Sequence, residues 1–203
     1  GYLRLVDFDR VDVSNINREL YALHCTLGQK KAKIARSRVL DIHPACDVDI
    51  HETFVNADSL GSLLSADLDV VVDAIDGLNS KVNLLVAARH MDLKVVSSMG
   101  AGGRMDVSWI RTGDIADTSV CPLARVVRRR LHRRGVFTGI RCVYSLEPPV
   151  LSPDAHALPD EGTPDPGNST GHGRKRPAIG TIPWIPGIFG LTLAAEAVHI
   201  ITR

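Results

Sequence analysis

The sequence predicts an α/β fold, a doubly wound and mostly parallel sheet of the Rossmann-like kind. Apolar, strand-like runs alternate with stretches of helical periodicity in the order strand–helix–strand–helix–strand. The run DVVVDAI at 69–75 is continuous and β-branched, which is typical of a strand buried on both faces of a parallel sheet. Alternation of this kind is typical of a sheet with helices packed on both faces.

The individual elements follow from the same patterns. Tyr2–Asp7 is an apolar run ending in carboxylates, which predicts a parallel strand. A polar loop follows, and then a helix is predicted over 29–42, with Ala32, Ala35, Val39 and Ile42 at core spacing. Further strands are predicted at 48–54, 94–97, 105–109 and 143–146, and further helices at 59–64, 80–90, 122–134 and 188–201. In the last helix, Leu191, Ala195 and Val198 are predicted to share one face.

A chain of 203 residues predicts one domain, interrupted by a long loop. Seven of the 11 prolines lie in 147–178, a segment rich in glycine and acidic residues that predicts a loop inside the domain. The apolar stretch from Ile179 to Ile201 approaches membrane-spanning length, but Pro183, Pro186 and Glu196 interrupt it. We expect a buried segment there rather than a membrane span.

Charge and cysteine content limit the classes of function. Basic and acidic residues number 24 and 23, so overall charge does not indicate a nucleic-acid partner. The four cysteines form no CxxC pair, which disfavours a four-cysteine zinc site, and no zinc is expected. Scattered free thiols are typical of a reducing compartment. We therefore expect a cytoplasmic protein, with a mitochondrial location as the alternative.

Several polar side chains of the kind that bind a nucleotide are grouped after the first strand. Asp7 ends that strand, where an acid can accept the ribose hydroxyls. Asn15 and Arg18 lie in SNINRE just beyond it, and a guanidinium is matched to phosphate oxygens. Lys31 opens the following helix, where a cation is unfavourable unless an anion binds. A solvated loop and a basic helix face are the alternatives.

A carboxylate for a metal ion is predicted after the most buried strand. Asp73 and Asp76 bracket the carboxyl end of that strand in DAIDGLNSK. Mg²⁺ prefers one or two carboxylates together with substrate phosphates, so we assign Asp76 to Mg²⁺. Asn79 or Ser80 is expected to cap the next helix.

Together these motifs resemble the ThiF/ubiquitin-activating superfamily. The resemblance implies an ATP site of Asp7, Asn15, Arg18, Lys31 and Asp76, with Arg18 and Lys31 acting on the phosphates. Within the superfamily, SSMGAGGRMD at 97–106, DIADTSVCPLARVVRRRL at 114–131 and RCVYSLEPP at 141–149 resemble the tRNA threonylcarbamoyladenosine dehydratase branch. That branch is implied to adenylate the threonylcarbamoyl carboxylate with ATP and to close it into a cyclic form by dehydration.

The resemblance also carries expectations about parts of the enzyme. The superfamily's first strand and glycine-rich phosphate loop would lie before Gly1, so we expect them to be missing here and this chain alone to be inactive. A homodimer is also implied. Cys142 matches a cysteine of the branch, and its thiol is either structural or covalently reactive.

A basic helix predicts contact with RNA. At helical spacing, Leu123, Val126, Val127 and Leu131 define one face of 122–134. The other face is predicted to contact the tRNA backbone through Arg125, Arg128, Arg129 and Arg133. Arg130 and Arg134 fall on the apolar side and need partners. A solvated basic face is the alternative.

Two other functions stay open at this point. One is an activator that adenylates the C-terminus of a ubiquitin-like or sulfur-carrier protein. The other is a non-catalytic partner subunit with the same fold. The first of these often carries paired CxxC zinc motifs, which this sequence lacks.

Overall fold

A computed structural model describes residues 1–150 and 180–203. The chain divides into two compact units, Gly1–Ser65 and Ala66–Arg203. The prediction of one domain is not tested by this division, and most of the predicted loop at 147–178 lies outside the described residues.

The first unit contains a two-stranded parallel sheet. Strands β1 (Tyr2–Val6) and β2 (Asp47–His51) pair along their full length, and helix α1 (Lys31–Ile42) connects them. A short helix, α2 (Leu60–Leu63), closes the unit. These elements lie where the sequence predicts them. The predicted packing of α1 is wrong at its end, because Ile42 is the last helical residue and is 73% exposed.

The second unit contains a four-stranded sheet in the order β3-β4-β6-β5. Its strands are β3 (Val71–Asp73), β4 (Val95–Ser98), β5 (Ile110–Asp114) and β6 (Arg141–Ser145). The strands β3, β4 and β6 are parallel, and β5 is antiparallel to β6. Helices α3 (Leu78–His90), α4 (Pro122–His132) and α5 (Trp184–Thr202) complete it.

Helices cover both faces of this sheet. Val96 of β4 and Val143 of β6 pack against Ile185, Phe189 and Leu193 of α5. The next residue of β4, Ser97, contacts Lys81 of α3. Because neighbouring side chains of a strand point to opposite faces, α3 and α5 lie on opposite sides. The predicted α/β fold with helices on both faces is confirmed.

Three local predictions are wrong. The alternation at 105–109 forms a 3₁₀ helix (Val107–Trp109), and the strand is β5, which follows it. Val72 is 48% exposed, so β3 is not buried on both faces; on the face of its partner Val96, α5 packs against β4 and β6. In α5, Leu191 and Val198 are exposed, and the packed face is the one carrying Phe189.

Helix α5 is long enough and apolar enough to cross a membrane, judged by its length and composition alone. The mean hydropathy of this helix is 1.5, and 22% of it is buried in the protein. Its packed face contacts β4 and β6, and the expectation of a buried segment rather than a membrane span stays a prediction.

Candidate functional site

Lys31 is the centre of a charged cluster in the first unit. Its side chain is almost buried at the first position of α1, and its Nζ lies 3.0 Å from Oε1 of Glu19 and 3.6 Å from Oδ2 of Asp9. Burial acts to lower the pKa of Lys31, but the hydrogen bond to Glu19 and the charges of Glu19, Asp9 and Asp7 outweigh it, so the pKa is raised. Lys31 is therefore held in its charged form beside three carboxylates.

Asp7 lies at the edge of this cluster, directly after β1. Its Oδ1 accepts a hydrogen bond from the backbone N–H of Asp9 at 2.8 Å. Within the part of the chain that the structure describes, its second carboxylate oxygen has no such partner. The pKa of the nearby Tyr21 hydroxyl is raised by burial and by the charges of Glu19 and Asp7.

Asn15 and Arg18 are held by the turn that follows. Asn15 is 7% exposed, and its Oδ1 accepts the N–H of Asp12 at 3.0 Å in a reciprocal capping box. Arg18 donates through Nη1 to the Ser14 carbonyl at 2.6 Å and to Oδ1 of Asn17 at 3.0 Å. Asn15 therefore shapes this turn, and Arg18 lies on its more accessible side.

A second cluster, fully buried, lies at the carboxyl edge of the four-stranded sheet. Asp73, the last residue of β3, forms an ion pair with Lys81 of α3 at 2.6 Å, and neither side chain is exposed. The Ser97 hydroxyl donates to the same Oδ2 of Asp73 at 2.6 Å. Lys81 also donates to the Ser98 carbonyl at 3.0 Å. The ammonium and the carboxylate are thus hydrogen-bonded as well as paired, which burial requires.

This pair fixes the turn that carries Asp76. Asp73 Oδ1 accepts the N–H of Ile75 at 3.0 Å, and Lys81 lies in the first turn of α3 just beyond Asp76. Asp76 itself is exposed. The predicted cap of α3 is wrong: Gly77 is the N-cap and no side chain caps the helix, because Asn79 accepts a hydrogen bond from Arg130 of α4.

The arginines of α4 divide into two groups. Arg125, Arg129 and Arg133 are exposed, as predicted. Arg128 is partly buried and donates to the Thr118 carbonyl and hydroxyl at 2.6 and 2.7 Å, and its predicted contact with tRNA stays a prediction. The partners that Arg130 and Arg134 need are Asn79 and Asn83 of α3.

Cys142 is fully buried in β6 beside Ser97 of β4. Burial raises the pKa of its thiol above the ordinary value, although the charge of Lys81 opposes this. A buried thiol that resists deprotonation is a poor nucleophile. The structure therefore favours the structural alternative for Cys142.

The structure brings Asp7 and Lys31 together and adds residues that the sequence analysis did not assign. Asp9 and Glu19 contact Lys31, and Lys81 neutralises Asp73. Glu19 follows Arg18 directly in SNINRE, and Lys81 ends DAIDGLNSK, so both lay inside the motifs. Among residues 1–150 and 180–203, no group of three or more His, Cys, Asp or Glu side chains is arranged to hold a metal ion.

The family model of the ThiF family matches residues 1–203. The chain belongs to the ThiF family.

Members of the ThiF family with curated names are similar over most of this chain. The tRNA threonylcarbamoyladenosine dehydratase 2 of Saccharomyces cerevisiae is 39% identical over 201 residues, covering 94% of this chain and 44% of its own length. The tRNA threonylcarbamoyladenosine dehydratase of Bacillus subtilis is 35% identical over 151 residues, covering 74% of this chain and 59% of its own. The chain thus spans about half the length of the curated ThiF relatives that it matches.

A solved structure is similar over the whole chain. It is the E. coli tRNA N6-threonylcarbamoyladenosine dehydratase in complex with ATP, which superposes with a TM-score of 0.80 at 28% identity. The match covers 100% of this chain and 76% of the E. coli protein. The Rossmann-like fold of the ThiF family is therefore confirmed.

Proposed function

We propose that this protein activates the threonylcarbamoyl carboxylate of tRNA threonylcarbamoyladenosine with ATP and converts it into the cyclic form by dehydration. The observation that carries the proposal is similarity to dehydratases of that name over nearly the whole chain, including an E. coli structure in complex with ATP. The carboxylate attacks the α-phosphate of ATP and pyrophosphate leaves. The carbamoyl group then displaces AMP as the ring closes.

The charged cluster of the first unit fits the nucleotide. We assign Asp7 to the ribose hydroxyls, since one of its carboxylate oxygens has no partner within the described residues. Arg18 and Lys31 are assigned to the phosphates, and Asn15 to the shape of the turn that presents Arg18. Binding of ATP then replaces the contacts of Lys31 with Glu19 and Asp9 by contacts with phosphate oxygens.

Mg²⁺ fits the same proposal. Three carboxylates lie around the single ammonium of Lys31, which disfavours a naked polyphosphate and favours one neutralised by a divalent cation. Asp76, on the turn fixed by Asp73 and Lys81, is the residue that would hold it. Bound Mg²⁺ would neutralise charge on the phosphates. We expect Asp76→Asn to raise the Mg²⁺ concentration needed for half-maximal AMP release, and an unchanged requirement would remove Asp76 from this role.

The exposed face of α4 is proposed as a contact for the tRNA backbone. Arg125, Arg129 and Arg133 lie on it, and Arg128 is assigned to support it through Thr118. Contacts of this kind position RNA without reading its sequence.

A homodimer and a cytoplasmic location complete the proposal. The exposed apolar side chains Leu191, Val198 and Ile201 of α5 offer a surface that a second copy can bury. Sedimentation should then show a dimer that Leu191→Glu weakens, and a wild-type monomer would contradict it.

All four cysteines are free, which supports a reducing compartment. Cell fractionation tests the location, with recovery in mitochondria as the contrary result.

The function is tested by measuring AMP release from ATP by the full-length protein with three additions. These are tRNA containing threonylcarbamoyladenosine, the same tRNA without the threonylcarbamoyl group, and a small ubiquitin-like protein. AMP release that requires the modified tRNA supports the proposal. Release only with the ubiquitin-like protein would replace it by protein activation, and no release with any addition would favour a non-catalytic partner subunit.

A further inference from the structure

Arg104 is a buried cation that forms no ion pair with an acidic side chain of the described residues. It is 3% exposed and lies in the glycine loop that follows β4. Its guanidinium donates only to carbonyl groups: Nε to Glu147 at 3.1 Å, and Nη1 to Gly100 and to Gly102. The remaining nitrogen, Nη2, is buried and has no hydrogen-bond partner among residues 1–150 and 180–203.

The nearby carboxylates are engaged elsewhere. Glu147 accepts the backbone N–H groups of Met105 and Asp106 at 3.0–3.1 Å. Asp106 accepts the N–H of Ser108 at 2.8 Å. Within the described part of the chain, no carboxylate forms an ion pair with Arg104. A buried charge normally has a counterion, and an anion bound at this loop would supply the one that Arg104 lacks among the described residues.

A helix N-terminus lies beside this guanidinium. Helix α4 has 11 residues and begins at Pro122, and no side chain caps it. Its first residue has no N–H, so the N–H groups of Leu123 and Ala124 are the donors that the helix leaves without an intrahelical acceptor. Helix N-termini attract anions. The positive end of α4 and the charge of Arg104 therefore both attract an anion.

Gly100 leaves space between them. A Cβ placed on Gly100 would lie 3.4 Å from Nη1 of Arg104, 3.6 Å from Sγ of Cys121 and 3.7 Å from Cβ of Leu123. These are ordinary van der Waals distances, so the volume of a methyl group is open between the guanidinium and the first turn of α4. Gly103 fixes the other end of the loop: its φ is +70°, and a Cβ there would meet the Val150 carbonyl at 2.6 Å.

The loop lies at the edge of the sheet that also carries Asp76. Strands β3 and β4 are parallel, with Asp73 opposite Ser97, so both of the following turns leave the sheet at the same edge. In doubly wound folds, ligands bind at the carboxyl ends of the strands.

We propose that Arg104, the glycine loop at 100–103 and the first turn of α4 form a carboxylate-binding site. In the function proposed above, on which this assignment of the ligand rests, the site binds the carboxylate of the threonylcarbamoyl group. Arg104 supplies the charge, and the Leu123 and Ala124 N–H groups supply further donors. The site orients the carboxylate before adenylation and forms no covalent bond to it.

The test compares binding of two nucleosides by the full-length protein: threonylcarbamoyladenosine and its methyl ester, which lacks the negative charge. The wild type should bind the acid at least ten-fold more tightly than the ester. Arg104→Gln should abolish that difference, and Arg104→Lys should retain part of it. Gly100→Ala should weaken binding of the acid by filling the space without removing the charge.

Two matched controls accompany these variants. Gly113→Ala places the same methyl group in a similar contact, 3.6 Å from Tyr144, and Arg111→Gln removes an arginine that donates to the Ser108 and Ile110 carbonyls. Both should bind the acid as the wild type does, and ATP affinity should be unchanged in every variant. If Arg104→Gln does not fold, Arg104→Lys and Gly100→Ala carry the test.

The proposal is overturned if the wild type does not prefer the acid to the ester, or if Arg104→Gln and Gly100→Ala keep the preference. These outcomes are separable from failure of the proposed function. Loss of AMP release with modified tRNA would contradict the reaction but leave the preference for the acid intact. Normal AMP release together with an unchanged KM for the tRNA in Arg104→Gln would contradict the carboxylate-binding site but not the proposed reaction.

Discussion

Lys81 Nζ lies 2.6 Å from Oδ2 of Asp73, and both side chains are inaccessible to solvent. The pair joins α3 to the end of β3, and through Ser97 it also reaches β4. Such a pair does little for stability as a whole, because desolvation of both charges opposes their attraction. The pair instead fixes how α3, β3 and β4 pack together, because either charge without its partner would be strongly unfavourable in this buried position.

Removing both members of this pair should therefore cost less than the two single losses added together. We expect Lys81→Met or Asp73→Asn to lower the free energy of unfolding by about 3–5 kcal/mol, and the double variant to lose less than the sum of the two. Urea denaturation of each variant measures this. Asp92→Asn is the control, because its pair with Arg89 is exposed and should contribute less than about 1 kcal/mol. Additive losses in the double variant would show that the two charges are not coupled.

Lys31 should matter for ATP far more than its neighbour Lys33 does. A charge-assisted contact contributes about 1.5–3 kcal/mol, so Lys31→Met should reduce kcat/KM for ATP by roughly 10- to 150-fold. Steady-state measurement of AMP release at varied ATP tests this. Lys33→Met is the matched control: it lies on the same helix and pairs with Glu52 at 3.3 Å, but it is largely exposed. Equal effects of the two substitutions would contradict a phosphate contact of Lys31.

The exposed arginines of α4 should act on tRNA through charge alone. Reversing Arg125, Arg129 and Arg133 to Glu should weaken tRNA binding and reduce the slope of log K against log salt by about 2–3 units. Filter binding at several salt concentrations measures both. Arg111→Glu, on β5, should leave the slope unchanged. Unaltered affinity in the triple variant would leave a solvated basic face as the better interpretation.

Arg141 and Glu196 should give stability a defined pH dependence. Hydrogen bonding to Arg141 at 2.7 Å lowers the pKa of Glu196 against the opposing effect of burial, with Thr112 and His199 also facing the carboxylate. A carboxyl group with a lowered pKa stabilises the fold fully above its ordinary value of 4.5, and this is lost as the pH falls through the folded value.

The comparison of wild type with Glu196→Gln isolates this contribution. Thermal denaturation from pH 7 to pH 3 should show a difference of up to about 1 kcal/mol at neutral pH that shrinks in acid. A difference that stays constant, or grows in acid, would assign the effect to packing rather than to charge.

The fold was predictable from sequence to the extent that local patterns determine it. The strand before Asp7 and the helix predicted over 80–90 are confirmed, and Val82 and Leu85 of that helix are buried. The phase of α5 was not predictable, because a helix that is apolar on nearly all sides gives no direction for its packed face. The sheet that it covers, and not its own sequence, selects Phe189 over Leu191.

The local setting of the predicted site residues was predictable, but their contacts were not. Asp7 follows a strand and Lys31 begins a helix, as the motifs predicted, because strand ends and helix starts are local features. The carboxylates around Lys31 come from different turns, and their distances depend on how the loop at 9–28 folds. In the same way, Asn79 seemed a cap for α3 because its partner Arg130 lies 51 residues away. Long-range hydrogen bonds of this kind leave no periodic signal.

Because Cys142 is buried, its reaction with a thiol reagent reports local unfolding of the second unit. Cys25 is exposed in the first unit, whereas Cys121 and Cys142 are buried in the second. An alkylating reagent should therefore modify the native molecule at Cys25 at once. It should reach Cys121 and Cys142 only when the sheet and helices around them separate. The rate of modification at those two thiols thus measures how often the second unit unfolds locally, without any introduced probe.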